Sequence, residues 1–314
     1  MLPFALRRLM LALPTLLIVT VIVFLMVRVL PGNPARLLLG EESTPELVAA
    51  LTKELGLDQP LPVQYLTWLG GVMRGDLGRS VRDNSSVTQL ILEKLPTTLE
   101  LAFLAMLLAL LVAVPAGIFT ASRRGGFADG AVTLLALSGI SLPNFFVGIL
   151  LIYFFSVQLG WIPPSGYVTP AEDLGQNLKL MLMPAVTLAL GTAGAMTRFL
   201  RGSMLEVLGQ DYIRTARAKG VPIQGVLYRH ALRNALIPLL TILGLQLGAL
   251  LGGAIISEQI FSIPGFGRLI VEAVFTRDFP VVQGIVLVSA TAIFFVSFLV
   301  DLLYATIDPR IRYQ

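Results

Sequence analysis

Long apolar runs separated by short polar stretches dominate this chain. The runs cover roughly 9–30, 97–121, 131–158, 182–201, 235–257 and 282–306. About twenty apolar residues carry a helix across a bilayer, where the backbone must satisfy its own hydrogen bonds. The pattern predicts an all-α membrane protein with six transmembrane helices, and an even count puts both termini on one side. The first run follows Arg7 and Arg8 and extends to Val27. It exceeds the ~7–15 apolar residues of a signal peptide, and no small-x-small site precedes PGNP, so it reads as an uncleaved span.

Polar segments refine this picture. SerThrProGluLeu at 43–47 opens a short amphipathic stretch, with Ser43 or Thr44 as cap, Pro45 in the first turn and Gly56 as stop. It sits in a long loop from Pro31 to Pro96, where Tyr65 and Trp68 are suited to the membrane interface. A second outer segment, Phe261 to Pro280, places Gly265 and Gly267 as turn residues before an amphipathic helix. It reads equally as a lid on the bilayer surface or as an outer gate.

Composition agrees with the hydropathy. The 314 residues are 55% hydrophobic and 13% charged, against about 25% charged in soluble domains. With the N-terminus inside, the inner segments hold 13 of the 23 Lys and Arg but only four acidic residues, and the outer segments carry ten basic against fourteen acidic. This asymmetry places both termini in the cytoplasm. The basic residues flank apolar runs rather than forming a stripe, so a nucleic-acid partner is not expected.

Within the spans, Gly244, Gly248 and Gly252 recur every four residues and share one helix face. Such a face suits close helix packing, including against a partner subunit. Pro143 and Asn144 fall mid-span in SLPNFF, and Gln246 lies in the fifth run. An amide facing lipid is costly, so Asn144 and Gln246 face protein or a watery path. Structural hydrogen bonding and a place on a translocation path both fit. No run carries a cluster of carboxylates or histidines, which argues against an ion-driven carrier.

Several chemistries are excluded. There is no GxxxxGK[ST] phosphate loop and no HExxH, and the lone histidine, His230, builds no multi-histidine zinc site. The absence of cysteine removes disulfides and thiolate metal sites. ALSG at 136–139 is a near miss to an intramembrane serine-protease motif, but no base shares its membrane segment.

The remaining polar feature is a basic elbow between the fourth and fifth runs, within residues 202–234. Asp211 to Lys219 predicts a short helix with its acid in the first turn. Gly220 ends it in a left-handed conformation, and Pro222 suits the first turn of the next helix. Anchoring by positive charge accounts for Arg198 and Arg201, whereas the small residues from Ala216 to Gly220 would let another protein surface approach.

RTARAKGVPIQGVLYRHALRNALIP resembles the "EAA" signature of ABC-transporter permeases. Aligned on Gly220, Arg214, Thr215 and Ala216 stand at the EAA positions, and Ala216, Gly220 and Leu232 match the general pattern. LPGNPA, GLDQPLPVQYLTWL, GDLGRS, SLPNFF, GQDYIRTARAKG, RHALRN and SIPGFGRL together resemble the dipeptide/oligopeptide/nickel permease family along nearly the whole chain. The apolar runs and the charge asymmetry give this chain a four-part layout: an N-terminal helix (1–30), an extracytoplasmic region (31–96), a permease core (97–306) and a cytoplasmic tail (307–314). The partners implied by the resemblance are a second homologous permease, two ATP-binding subunits and an extracytoplasmic substrate-binding protein. ATP and Mg belong to those subunits, with no cofactor, metal site or catalytic residue in this chain. Asp211, Arg214, Thr215, Ala216, Arg217, Lys219 and Gly220 would couple to an ATPase subunit. Di- or oligopeptides are the expected substrates, with nickel complexes or glutathione as family alternatives. An autonomous carrier or channel is the reading from another class.

Overall fold

The computed structural model describes residues 2–29, 44–54 and 56–307, so the LPGNPA segment and the tail beyond Ile307 lie outside the described residues. Helices account for all the regular structure among them. They are α1 (Leu2–Val29), α2 (Pro45–Glu54), α3 (Leu61–Met73), α4 (Val87–Ser122), α5 (Phe127–Ser141), α6 (Asn144–Leu151), α7 (Leu174–Leu208), α8 (Asp211–Ala218), α9 (Arg233–Ile260), α10 (Phe266–Phe275) and α11 (Phe279–Ile307). π-helical turns at Ile152–Gln158 and Gly225–Leu232 extend α6 and precede α9. Among the described residues, five helices are long and apolar enough to cross a membrane, or six if the bent pair α5–α6 counts as one span.

That bent pair stands where one span, with Pro143 in its middle, was expected at 131–158. α5 and α6 are turned by 102°. Pro143 is the cause: it has no N–H to give, and its ring drives the preceding residue out of the helical region. Leu142 accordingly sits at φ −78°, ψ 129°, and Pro143 at ψ 135° caps α6 from outside. The helices at 97–121 and 182–201 also prove longer than their apolar runs, because polar turns at their ends continue the same hydrogen-bonding pattern.

Packing divides the chain into two compact units, one built on Thr97–Arg268 and the helix from Phe295 onward, the other on Leu6–Pro96 and Leu269–Phe294. In the first, α7 is the hub and packs against α5, α6 and α9. Of its most apolar window 72% is buried, against 44% for α4 and 17% for α11. α7 starts cleanly because Asp173 accepts the Gln176 N–H at 3.0 Å. Its meeting with α5 is made by glycine. A Cβ on Gly139 would stand 2.9 Å from the Leu190 carbonyl oxygen, and one on Gly194 would be nearer still to the Ala136 oxygen. The ALSG segment is therefore a packing surface.

In the second unit, α1 and α3 meet through aromatic contacts. Phe24 packs on Tyr65 and Trp68, the Arg28 guanidinium lies 3.5 Å over the Phe24 ring, and the Thr20 and Tyr65 hydroxyls bond at 2.8 Å. Thr44 caps α2 by accepting the Leu47 N–H, and Gly56 follows with φ 63°. Buried Asp278 accepts the Ser80 hydroxyl and the Val81 N–H, which pins the turn at 79–86 to the start of α11.

Candidate functional site

The elbow is built from a local cap outward. α8 ends at Ala218, Gly220 adopts φ 79°, its N–H donates to the Arg217 carbonyl at 2.9 Å, and the Val221 N–H reaches back to Ala216 at 3.2 Å. These paired bonds form a Schellman closure, which needs the left-handed residue that glycine supplies without strain. Pro222 stands immediately before the next helix, its carbonyl accepting the Val226 N–H. Two residues, Gly209 and Gln210, join α8 to the end of α7.

One face of α8 is anchored. Ile213 is completely buried, and the Asn234 amide of α9 donates to the Tyr212 hydroxyl at 2.8 Å. The rest is presented outward: Asp211, Arg214, Thr215, Arg217, Lys219 and Gly220 are exposed and Ala216 half-buried. Arg214 and Asp211 pair at 3.3 Å along that exposed surface, a contact worth little in water. The seven residues expected at the elbow thus share one short helix and its cap.

Two polar nodes escaped the sequence reading. Arg201 was expected to anchor at the membrane surface. Instead its guanidinium grips Asp129 in a two-pronged pair, Nε to Oδ1 and Nη2 to Oδ2, both at 2.8 Å, while the Gly125 N–H donates to the same carboxylate at 3.0 Å. The pair clasps the start of α5 to α7, one turn or two before the elbow. The second node is Glu258, fully buried near the end of α9. It accepts the Thr98 hydroxyl and the Arg268 N–H, and Thr98 accepts the Phe266 N–H in turn. Gly265 and Gly267 have ordinary φ; they are needed because a Cβ on Gly265 would overlap the Glu258 carboxylate and one on Gly267 would meet the Ile255 Cα at 2.6 Å. Nearby, Tyr167 donates to Glu100 at 2.9 Å, and burial pushes its phenol above the usual range.

The intramembrane candidates separate into two groups. Asn144 and Gln246 come together: both line a cavity of about 260 Å³ with Ile140, Leu188, Gly191, Thr192, Ala195, Ala249 and Leu250. Pro143, beside it, sets the break that starts α6 at Asn144. The glycine stripe is less uniform than its spacing. Gly244 is buried against Val300, Gly248 is half-buried, and Gly252 is exposed, with nothing within 4 Å of the place a methyl would take.

Residues 113–313 match the family described as the binding-protein-dependent transport system inner membrane component, and residues 1–102 match its N-terminal companion. The chain belongs to that family. A "Probable peptide ABC transporter permease protein" of Sinorhizobium fredii is 40% identical over 310 residues, covering 99% of both chains. A "Dipeptide transport system permease protein" of Alkalihalophilus pseudofirmus is 41% identical over 333 residues, covering 100% of each. Among solved structures, a chain of the inward-facing MetNI methionine ABC transporter superposes with a TM-score of 0.59 at 18% identity. The match spans 70% of this chain and 97% of that one. The last likeness concerns fold. The protein is a multi-pass inner-membrane permease subunit of an ABC importer, a transport component and not an enzyme. Its family works with ATPase and substrate-binding subunits, which displaces the reading of an autonomous carrier.

Proposed function

We propose that this permease passes peptides delivered by an extracytoplasmic binding protein, and that α8 couples it to an ATPase subunit. Both relatives' names point to peptides. In this reading the termini and the elbow are cytoplasmic, in keeping with the excess of Arg and Lys in those segments. A second homologous permease completes the path, and two ATPase subunits bind ATP and Mg. Asp211, Arg214, Thr215, Ala216, Arg217, Lys219 and Gly220 form the docking surface, while Pro143, Asn144 and Gln246 border the path.

The observation that carries the coupling role is the division of α8 into a buried anchor, Ile213, and an exposed remainder. A helix fixed on one side and free on the other transmits a push into the helices that hold it. Closure of the ATPases would supply the preference between inward- and outward-facing states.

Gly220→Val tests this. Nothing crowds the position, but its φ of 79° is strained for any side chain and worst for a β-branched one. In reconstituted complexes, substrate-stimulated ATP hydrolysis and uptake should both fall at least tenfold while membrane insertion is retained. Normal stimulation and uptake would refute the assignment.

A further inference from the structure

We infer that the cavity lined by Asn144 and Gln246 is a main-chain contact site, which hydrogen-bonds the peptide backbone of the cargo and ignores its side chains. This rests on the peptide reading above and adds how the permease itself handles that cargo.

The cavity draws its walls from α5, α6, α7 and α9. Its lining is otherwise aliphatic or small, with Gly191, Ala195 and Ala249 leaving room for an extended chain. The Thr192 hydroxyl is already bonded to the Leu188 carbonyl. Among the described residues, neither carboxamide has a hydrogen-bond partner. An amide left unpaired in apolar surroundings is unfavourable, so two of them facing one space are explained by a visiting partner. Each carboxamide offers one carbonyl acceptor and an NH₂ donor, the complement of a peptide unit's N–H and C=O.

The chemistry also says what the site does not take. No charged side chain lines it, so it has nothing to clamp the cargo's terminal ammonium or carboxylate. It offers no carboxylate, imidazole or thiolate to a metal ion. The volume of about 260 Å³ lies under the ~300–1,000 Å³ of sites that enclose a drug-sized ligand, which suits passage of one short backbone stretch at a time. Neutral hydrogen bonds to the main chain give little preference among side chains and modest affinity, both of which favour release.

The test compares uptake of trialanine and of its backbone N-methylated analogue by the complete reconstituted transporter. N-methylation removes the cargo's N–H donors. The wild type should favour the unmethylated peptide. In Asn144→Leu and Gln246→Met that preference should shrink by about five- to tenfold per hydrogen bond lost. The binding protein's own preference cancels, because it is the same in every preparation. Copurification of all subunits establishes that each variant assembles. Ala195→Leu, which narrows the cavity without touching the amides, should slow both peptides alike and keep the ratio. If both amide variants take up peptide at the wild-type ratio, the contact site is refuted while the peptide reading stands. That is also the result expected if lipid or a partner helix fills the cavity. If the wild type takes up neither peptide, the peptide reading fails and this inference with it.

Discussion

Gly194→Ala and Gly252→Ala add the same single methyl to two membrane helices and should have opposite effects on the isolated subunit. At Gly194 the new Cβ would press on the Ala136 carbonyl oxygen and lie 3.0 Å from Ile140 Cγ1 and 3.2 Å from the Ala136 carbonyl carbon. Carbon and oxygen are comfortable at about 3.3–3.6 Å, and the obstacle is backbone, which cannot rotate aside. α5 and α7 must therefore part, an overpacking cost of about 1–3 kcal/mol. Alanine recovers roughly 0.5–1 kcal/mol of helix propensity, leaving a net loss near 1–2 kcal/mol. A loss of that size lowers Tm by about 2–8 °C, taking the 2–4 °C per kcal/mol of mid-sized domains. At Gly252 nothing lies within 4 Å, so only the propensity gain remains and Tm should hold or rise slightly. The assay is thermal unfolding of the purified subunit in detergent, followed by circular dichroism. A Gly194→Ala protein that melts at or above wild type would refute the close approach of α5 and α7. Gly252→Ala adds a second readout. If that glycine meets the second permease, the variant should copurify poorly with it despite an unchanged melting point.

Two further outcomes follow from the polar nodes. Asp129→Ala and Arg201→Ala should each lower Tm and weaken stimulated ATP hydrolysis. Arg201→Lys should restore only part of the loss, since an ammonium cannot make the two-pronged contact; full rescue by Lys would show that charge alone matters there. Glu258→Gln turns an NH₂ toward either the Thr98 hydroxyl or the Arg268 N–H that the carboxylate now accepts from, leaving that contact unsatisfied at about 1–3 kcal/mol. Hydrogen exchange at Phe266 and Arg268 should accelerate at least tenfold, and unchanged protection would remove Glu258 as the holder of the α10 start.

What could be read in advance depended on how local its cause is. The apolar runs mark the helices because hydrocarbon tolerates no unpaired backbone, and α8 with its Gly220 closure is encoded within ten neighbouring residues. The break at Pro143 was half legible. A proline announces a disturbed helix, but whether the chain kinks or turns by 102° depends on what α6 can pack against. The glycines divide in the same way. Spacing of four identifies a shared face, as for Gly244, Gly248 and Gly252, but not which face finds a neighbour. Gly139, Gly191 and Gly194 make the close contact with no more conspicuous a pattern. The polar pairs were illegible: Asp129 and Arg201 are 72 residues apart and Thr98 and Glu258 are 160 apart, and a single sequence carries no trace of such a meeting.

These pieces converge on α7. Residues 188–195 of this helix form one wall of the cavity, Arg201 ties it to α5, and it ends two residues before α8. At 1.5 Å per residue, the stretch from Ala195 to Leu208 is about 20 Å of continuous helix. A packed helix moves as a body and is stiff over that length, so a displacement received at α8 reaches the cavity wall with little lost in bending. The clasp sits between them and ties α7 to α5, which carries Ile140 on the adjoining wall. On the proposed coupling, a push received at α8 would travel along α7 and, through the clasp, into α5, and would change the spacing between Asn144 on α6 and Gln246 on α9. Cargo held between the two carboxamides would then lose a contact as that spacing changed, and its release would need no charged group among the residues lining the cavity.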